Sequence, residues 1–442
     1  MPQEPRIDVE RPAQKAGQAL TAERKAELSA QLPKQPWFGM RLQPSGQPAR
    51  HPDHEWKLTA DQPYQGRFAT GRAAVYLGGG NTEITRPFIF ADGFNYGPSD
   101  LPALWDHFNK PYAGETDGFL DQLNAQGLDV ILLGFDARHT HIQANAGVAA
   151  AAILRAIAER RGNAKLIVGG VSMGGMITRY ALARLENQRT DHETDTYLSY
   201  DTPHNGAWTP LVLQQLAYFF DEVIQPPEGG IKQSELLRSP AAQQLLWGWV
   251  PDAAYSGPVA ANQLRQEFLD ELHALGDFPA RPVKLGVANG TGDGTGRPLP
   301  PGQVAFDWAW PDVASAAPRI QPDRGTKQPA GEMSLGEVLQ RSLTTEVPAF
   351  DGAPGGTLDT YGRIAAALGA PIEDAYKVGS FVPSASAVAL EGPNWTDELD
   401  TDLSALTSGR FALDEFAFDT DNSEHSSISL PLVKWIEDRL AR

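Results

Sequence analysis

The chain has 442 residues, of which 37 are basic and 55 acidic, giving a net charge of -18 near neutral pH. An acidic surface repels phosphate backbones, which argues against nucleic acid as a partner. The chain contains no cysteine, so disulfides, thiolate metal sites and a cysteine nucleophile are excluded.

The first 61 residues are mostly polar and are interpreted as an arm packed on the body, with one helix predicted at 21–32. They lack the apolar core of a secretory signal peptide, and no run of 18 apolar residues occurs in the chain. We therefore expect a soluble protein without stable membrane insertion, cytoplasmic as the sequence stands or secreted if a leader was removed.

From residue 62 onward the pattern alternates between strands and helices. Apolar runs at 88–90, 127–136 and 164–172 predict buried strands, while 142–162 and 173–188 predict helices. Strands separated by helices of this length predict an α/β protein with a mostly parallel central sheet covered on both faces.

Two stretches interrupt this alternation. Residues 207–280 contain strongly apolar helical pieces and predict a helical cap or lid inserted between sheet strands. Residues 296–370 form a long insertion rich in proline and glycine, and 427–442 predict an amphipathic C-terminal helix. Residues 62–442 are therefore interpreted as one domain that contains both insertions.

The candidate nucleophile is Ser172, within the motif Gly170-Val171-Ser172-Met173-Gly174. Four apolar residues precede the motif and a predicted helix follows it, the setting in which G-x-S-x-G carries a nucleophile. A direct strand-to-helix turn strains the serine backbone, and small residues two before and two after it allow the strand and helix to approach.

A serine nucleophile needs a base, because its hydroxyl is protonated at neutral pH. In the order serine, acid, histidine that accompanies this motif, the base lies near the chain's end, and His425 is the only histidine after residue 273. His204, just beyond a strand, is expected to bond backbone and begin the cap. His139 and His141 share one face of an extended segment, a weak metal signal without further ligands.

Two aspartates are candidates for the acid. Asp293 follows the predicted strand that ends near Gly290, where its carboxylate could orient the histidine, and it is the preferred choice. Asp201 ends the preceding strand and is the alternate acid.

The oxyanion hole needs two N–H donors. Met173 at the start of the helix supplies one, and Phe94 supplies the other, because Gly93 permits a tight turn after the strand that ends at Ala91. Phe94 and Tyr96 are also expected to form the floor of an acyl pocket.

Taken together, these residues resemble the α/β-hydrolase superfamily, and more narrowly its bacterial lipases and esterases. FADGF at 90–94 resembles the lipase oxyanion loop, GVSMGGMITRYAL at 170–182 the nucleophile turn with its helix, and DTPHNGA at 201–207 the stretch before the lid. One departure is Asp92, which stands where the family has a histidine before the glycine and so removes that side chain's contact.

The resemblance implies the α/β-hydrolase fold and a serine hydrolase that cleaves carboxylic esters. The apolar cap favours an ester with a hydrophobic acyl part, lipid or polyester included, and we expect no cofactor and no metal. Two alternatives stay open: an acyltransferase or cyclising thioesterase with the same triad, and a non-catalytic binding protein on this scaffold. The sequence leaves the oligomeric state open.

Overall fold

A mostly parallel eight-stranded sheet forms the centre of the protein. The computed structural model describes residues 20–31, 37–47, 50–112, 117–223, 231–259 and 262–441. The elements up to the end of the sixth strand are α1 (Ala22–Gln31), β1 (His54–Thr59), β2 (Thr70–Tyr76), β3 (Pro87–Ala91), α2 (Leu101–Phe108), α3 (Phe119–Ala125), β4 (Asp129–Phe135), α4 (Ile142–Glu159), β5 (Leu166–Val171), α5 (Met173–Asn187) and β6 (Thr194–Tyr200).

The predicted cap region is helical. It contains α6 (Leu211–Phe219), α7 (Gln233–Leu237), α8 (Pro240–Leu245) and α9 (Gln263–Ala274). All nine residues of α6 are buried, and this helix packs on strands of the insertion that follows. Its apolar character therefore serves packing inside the protein.

The remaining chain completes the central sheet and adds two smaller ones. Its elements are β7 (Val283–Ala288), β8 (Trp308–Trp310), β9 (Ala314–Pro318), β10 (Gln328–Leu335), β11 (Val338–Thr344), β12 (Gly355–Leu358), α10 (Thr360–Leu368), β13 (Gly379–Pro383), α11 (Ser384–Ala387), β14 (Glu415–Phe418) and α12 (Leu430–Leu440). Strands β8 to β11 form an antiparallel sheet in the order β11-β10-β9-β8, and β12 pairs with β13. The sequence had predicted a long insertion here without these strands.

The central sheet has the order β1-β2-β4-β3-β5-β6-β7-β14. Of its eight strands only β2 runs against the others, since it pairs antiparallel with both β1 and β4. Strand β1 lies within the segment interpreted as an N-terminal arm, so that segment contributes an edge strand to the sheet.

Helices cover both faces of this sheet, as the alternation of side chains along β4 makes clear. Ile131 and Leu133 belong to one buried cluster, with residues of α4 and α5. Val130 and Leu132 belong to the other, with residues of α2, α3 and α12. A strand buried on both faces is continuously apolar, which explains why the run 127–136 was recognisable in the sequence.

The strand order, the single reversed strand and the turn into a helix after β5 are those of the α/β-hydrolase fold. The predicted fold class is therefore confirmed. Within the described residues, no helix combines the length and apolar character needed to cross a bilayer.

Candidate active site

Ser172 occupies a strained turn between β5 and α5. Its φ is +54° and its ψ is -130°, a region that residues with a side chain rarely adopt. The backbone N–H of Ser172 donates to the carbonyl of Tyr200 at 2.9 Å, which joins the turn to the end of β6. The side chain is 1% exposed.

The glycines around Ser172 are required by close backbone approach. A Cβ on Gly170 would lie 2.5 Å from the carbonyl carbon of Gly174, and a Cβ on Gly174 would lie 2.2 Å from the carbonyl oxygen of Ala91. Any larger residue at either position would push the helix away from the strands, as the sequence motif predicts.

Asp201 and His425 form a buried pair next to this turn. The Nδ1 of His425 lies 2.7 Å from Oδ2 of Asp201, and both side chains are shielded from solvent. Asp201 directly follows Tyr200, whose carbonyl accepts from the N–H of Ser172, so the acid of this pair lies next along the chain to the residue that holds the serine turn. The ring of His425 packs edge-on against Phe381 at 5.0 Å.

The second ring nitrogen of His425 is unengaged. Its Nε2 is buried and has no hydrogen-bond partner among the described residues. Because the carboxylate accepts the proton on Nδ1, Nε2 is the lone-pair atom of the neutral ring. A buried lone pair without a donor is costly, and such atoms in native proteins call for a functional explanation.

Asn289, at the end of β7, holds the acid and the histidine loop together. Its backbone N–H donates to Oδ1 of Asp201 at 3.0 Å. Its side-chain oxygen accepts from the N–H of Ser426 at 2.9 Å, and its Nδ2 donates to the carbonyl of Ser427 at 2.9 Å. One buried side chain therefore fixes the residues that follow His425.

Strand β12, from the long insertion, completes the enclosure of the pair. A Cβ on Gly356 would lie 2.0 Å from Oδ2 of Asp201, so only glycine fits there. The backbone N–H of His425 donates to the carbonyl of Thr357 at 2.8 Å. Asn289, Gly356 and Thr357 do not stand out in the sequence as site residues. The paired glycines at 355–356 are the available signal.

Asp293 has a different environment. It lies in an exposed loop, where its Oδ1 accepts a hydrogen bond from the N–H of Thr295 at 2.8 Å, and that bond lowers the pKa of the carboxyl group. The structure thus joins His425 to the alternate acid, Asp201, and corrects the preference for Asp293. In the same loop, the carbonyl of Gly292 accepts from the N–H groups of Leu403 and Ser404.

The expected oxyanion donors lie on either side of Ser172. A Cβ on Gly93 would lie 3.0 Å from Cβ of Ser172, so the loop carrying Phe94 approaches the serine as closely as a glycine permits. Within the described residues, the amide hydrogens of Phe94 and Met173 have no acceptor. Two free amides near a buried hydroxyl are what a developing oxyanion requires.

An ion pair supports the loop at Asp92, the position that departs from the family pattern. Arg138 places Nη1 at 3.3 Å from the carboxylate of Asp92, and its Nη2 donates to the carbonyl of Tyr96 at 3.1 Å. Asp92 also accepts from the N–H of Gly93 at 2.8 Å. Burial raises the pKa of Asp92 while the charge of Arg138 opposes that rise.

A small apolar cavity borders the site. Its volume is about 10 Å³, and it lies between Phe94, Phe381 and residues of the cap and the N-terminal segment. Phe94 thus lines a pocket, as expected, whereas the ring of Tyr96 packs beside His139 at 5.0 Å.

His107 supports the histidine loop from α2. Its Nδ1 accepts from the N–H of Gln43 at 3.0 Å, and its Nε2 lies 2.9 Å from the carbonyl of Ser426, to which it donates. Burial lowers the pKa of His107 to about 4, and the charge of Lys110 acts in the same direction. The ring is therefore neutral at physiological pH, as its two hydrogen bonds require.

The other histidines that the sequence singled out have structural contacts. His204 is buried between Ser199, 3.1 Å from its Nε2, and Arg179, 3.4 Å from its Nδ1. The Nδ1 of His139 accepts from the N–H of Gly97 at 3.4 Å, and His141 directly precedes α4. The described part of the chain has no group of three or more acidic or histidine side chains arranged to hold a metal ion.

No protein-family model and no curated protein matches the chain. Among solved structures it is similar to Est1E from Butyrivibrio proteoclasticus, at 13% identity over 33% of this chain and 51% of that one, with a TM-score of 0.22. It is also similar to the mature lipase BlEst2 from Bacillus licheniformis, at 16% identity over 54% of this chain and 73% of that one, with a TM-score of 0.28. An esterase from Pyrobaculum calidifontis is similar at 12% identity over 62% and 82%, with a TM-score of 0.28.

The match to Est1E spans about half of that protein's length. The strand order and the polarity of the central sheet identify the fold.

Proposed function

We propose that this chain, which has the α/β-hydrolase fold, hydrolyses carboxylic esters with an apolar acyl group through an acyl-enzyme on Ser172. The observation that carries this proposal is the buried Asp201–His425 pair, in which Nε2 of the histidine has no partner among the described residues and the aspartate follows the residue whose carbonyl holds the serine turn. A structural histidine would be expected to satisfy both ring nitrogens, as His107 does.

In the proposed first step, Oγ of Ser172 attacks the ester carbonyl while Nε2 of His425 takes the hydroxyl proton. Asp201 holds the proton on Nδ1 and stabilises the imidazolium that forms. The amides of Phe94 and Met173 donate to the oxyanion, and His425 then returns its proton to the departing alcohol. Water repeats the sequence and releases the carboxylic acid.

The apolar cavity beside Phe94 and Phe381 supports the choice of acyl group. It adjoins one residue of the proposed oxyanion loop and one that packs on His425, which supports its use as the binding site for the acyl group. Apart from Thr209, its walls are apolar side chains and a glycine, which favours a hydrocarbon substituent.

The test is the hydrolysis of p-nitrophenyl acetate by the wild type and by Ser172→Ala. We expect the variant to lose at least about 10⁴-fold in kcat, as serine hydrolases do when the nucleophile is removed. A fluorophosphonate probe should label the wild type and not the variant. Ser199→Ala is the matched control, because Ser199 is a buried serine whose hydroxyl bonds His204, and it should keep most of the activity.

Two outcomes would contradict the proposal: full activity in Ser172→Ala, or a wild type that neither turns over the ester nor reacts with the probe. The second outcome would favour a non-catalytic binding protein on the same scaffold.

A further inference from the structure

Residues 37–47, here called the N-terminal strap, lie across the candidate site. The N–H of Trp37 donates to Oε1 of Gln233 in the cap, at 3.0 Å. The carbonyl of Met40 accepts from Nδ2 of Asn95 in the oxyanion loop at 3.3 Å. The strap therefore connects the cap to the loop that carries the proposed oxyanion donor.

The strap also reaches the loop of the proposed base. Gln43 bonds the ring of His107 through its N–H, and its side chain bonds the carboxylate of Glu424. Nζ of Lys110 donates to Oε1 of Gln43 at 3.2 Å. These contacts hold the strap at both ends of the site and fix the residues between them.

Between these anchor points the strap forms one wall of the apolar cavity. Phe38 and Gly39 line it, and a Cβ on Gly39 would lie 3.3 Å from the carbonyl oxygen of Phe94. Phe38 is 4% exposed and lies opposite leucines of α7 and α8. The volume of about 10 Å³ is close to what a single water molecule needs.

We infer that Phe38 is the specificity-determining residue that limits the acyl chain of the substrate to acetyl or a group of similar size. This inference rests on the proposed ester hydrolysis and names its substrate class. A cavity with room for one water accepts a methyl group, and Phe38 and the leucines of α7 and α8 are among the side chains that oppose a longer acyl chain.

Removing this ring should lengthen the accepted chain. Closely packed walls collapse only partly after a large-to-small substitution, so Phe38→Ala leaves space that an acyl chain can fill. Each methylene buried there is worth about fourfold in affinity, which corresponds to about 0.8 kcal/mol.

The experiment compares kcat/KM for p-nitrophenyl acetate, butyrate and hexanoate in the wild type, Phe38→Ala and Met40→Ala. The wild type should prefer acetate, and Phe38→Ala should raise the hexanoate-to-acetate ratio by at least about tenfold. Met40→Ala is the matched control, since Met40 is equally buried on the same strap but does not line the cavity, and its ratio should stay at the wild-type value.

The ratio within one preparation does not depend on the fraction of folded enzyme. If Phe38→Ala cannot be purified, Phe38→Leu should shift the ratio in the same direction by less. A wild type that prefers hexanoate, or a Phe38 variant with the wild-type ratio, would overturn the inference while ester hydrolysis stood. A wild type that cleaves none of the esters and resists the serine probe would overturn both.

Discussion

At Asp201 the backbone and its neighbours all serve the contact with His425. The residue has a φ of +45°, which places its carboxylate over the sheet edge immediately after β6. The N–H of Asn289 occupies one carboxylate oxygen and His425 the other. Gly356 lies against the second oxygen so closely that the carboxylate has a single position available.

We predict that Asp201→Asn lowers kcat/KM for p-nitrophenyl acetate by about 10⁴-fold with little change in fold. The amide cannot hold the proton on Nδ1, so His425 adopts the wrong tautomer for accepting the serine proton. Asp293→Asn is the matched control and should keep nearly full activity, because that carboxylate bonds only its own loop. A larger loss in Asp293→Asn than in Asp201→Asn would show that the wrong aspartate has been assigned.

At the residue scale, sequence patterns predict Ser172 as the nucleophile and His425 as the base, and they offer Asp201 only as the alternate acid. Ser172 is recognisable from the glycines that flank it. His425 is recognisable because serine, acid and histidine follow one another in this order along the chain, which puts the base near its end. Asp201 and Asp293 both follow strands and look alike in sequence. What distinguishes them is the arrival of Asn289 and Gly356 from distant parts of the chain, which no local pattern records.

At the scale of elements, Asp351 joins the cap to the long insertion. Its Oδ1 accepts from Nε1 of Trp208, at the start of the cap, at 2.6 Å. Its Oδ2 accepts from the N–H of Gln321 at 2.7 Å and from the hydroxyl of Tyr361 at 2.8 Å. The carboxyl group is fully buried, and this burial raises its pKa.

We predict that Asp351→Ala lowers the free energy of unfolding by about 3 kcal/mol, because three buried donors lose their acceptor together. Tyr361→Phe removes one of these donors and should cost about 1 kcal/mol. Urea denaturation of both variants at pH 7 measures the difference. Equal losses would mean that the carboxylate contributes no more than its single bond to Tyr361.

The elements that the sequence predicted well are those with a strong period or a continuous apolar run. The parallel strands, the helices that flank them and the C-terminal helix appear where expected. The sequence did not reveal strands β8 to β11 because one of their faces is partly exposed, and because β8 and β9 are short, with the sequences WAW at 308–310 and ASAAP at 314–318. Small residues and proline in that stretch resemble a loop until the partner strands are known.

At the scale of the whole molecule, His107 links the stability of the protein to pH. Its pKa is about 4 in the folded protein and about 6.5 in an unfolded chain. As the pH falls through this interval, the unfolded chain binds a proton that the folded protein does not. The folded protein therefore loses stability between pH 6.5 and about 4, and regains it as the pH rises.

We predict that His107 accounts for about 3 kcal/mol of the free energy of unfolding that the protein loses in acid. In His107→Gln the free energy of unfolding should therefore depend less steeply on pH over the same interval. Denaturant unfolding of both proteins at several pH values gives the difference. Both proteins share the other acidic and basic groups, so the effect of the net charge of -18 is the same in each. They also share buried His204, whose pKa is lowered by burial. The difference between the two proteins therefore reports His107 alone. Parallel curves would exclude His107 as the titrating group.

The position of β12 bears on any attempt to build a smaller enzyme from this chain. Deleting the whole proline- and glycine-rich insertion would also delete Gly356 and Thr357. Asp201 would then lose its cover, and His425 would lose its backbone hydrogen bond to Thr357. A deletion would have to end before residue 355. The shortened protein would also need new packing partners for α6, since all of its residues are buried in the full chain. The insertion therefore contributes to the proposed active site, and deleting it would also remove contacts of Asp201 and His425.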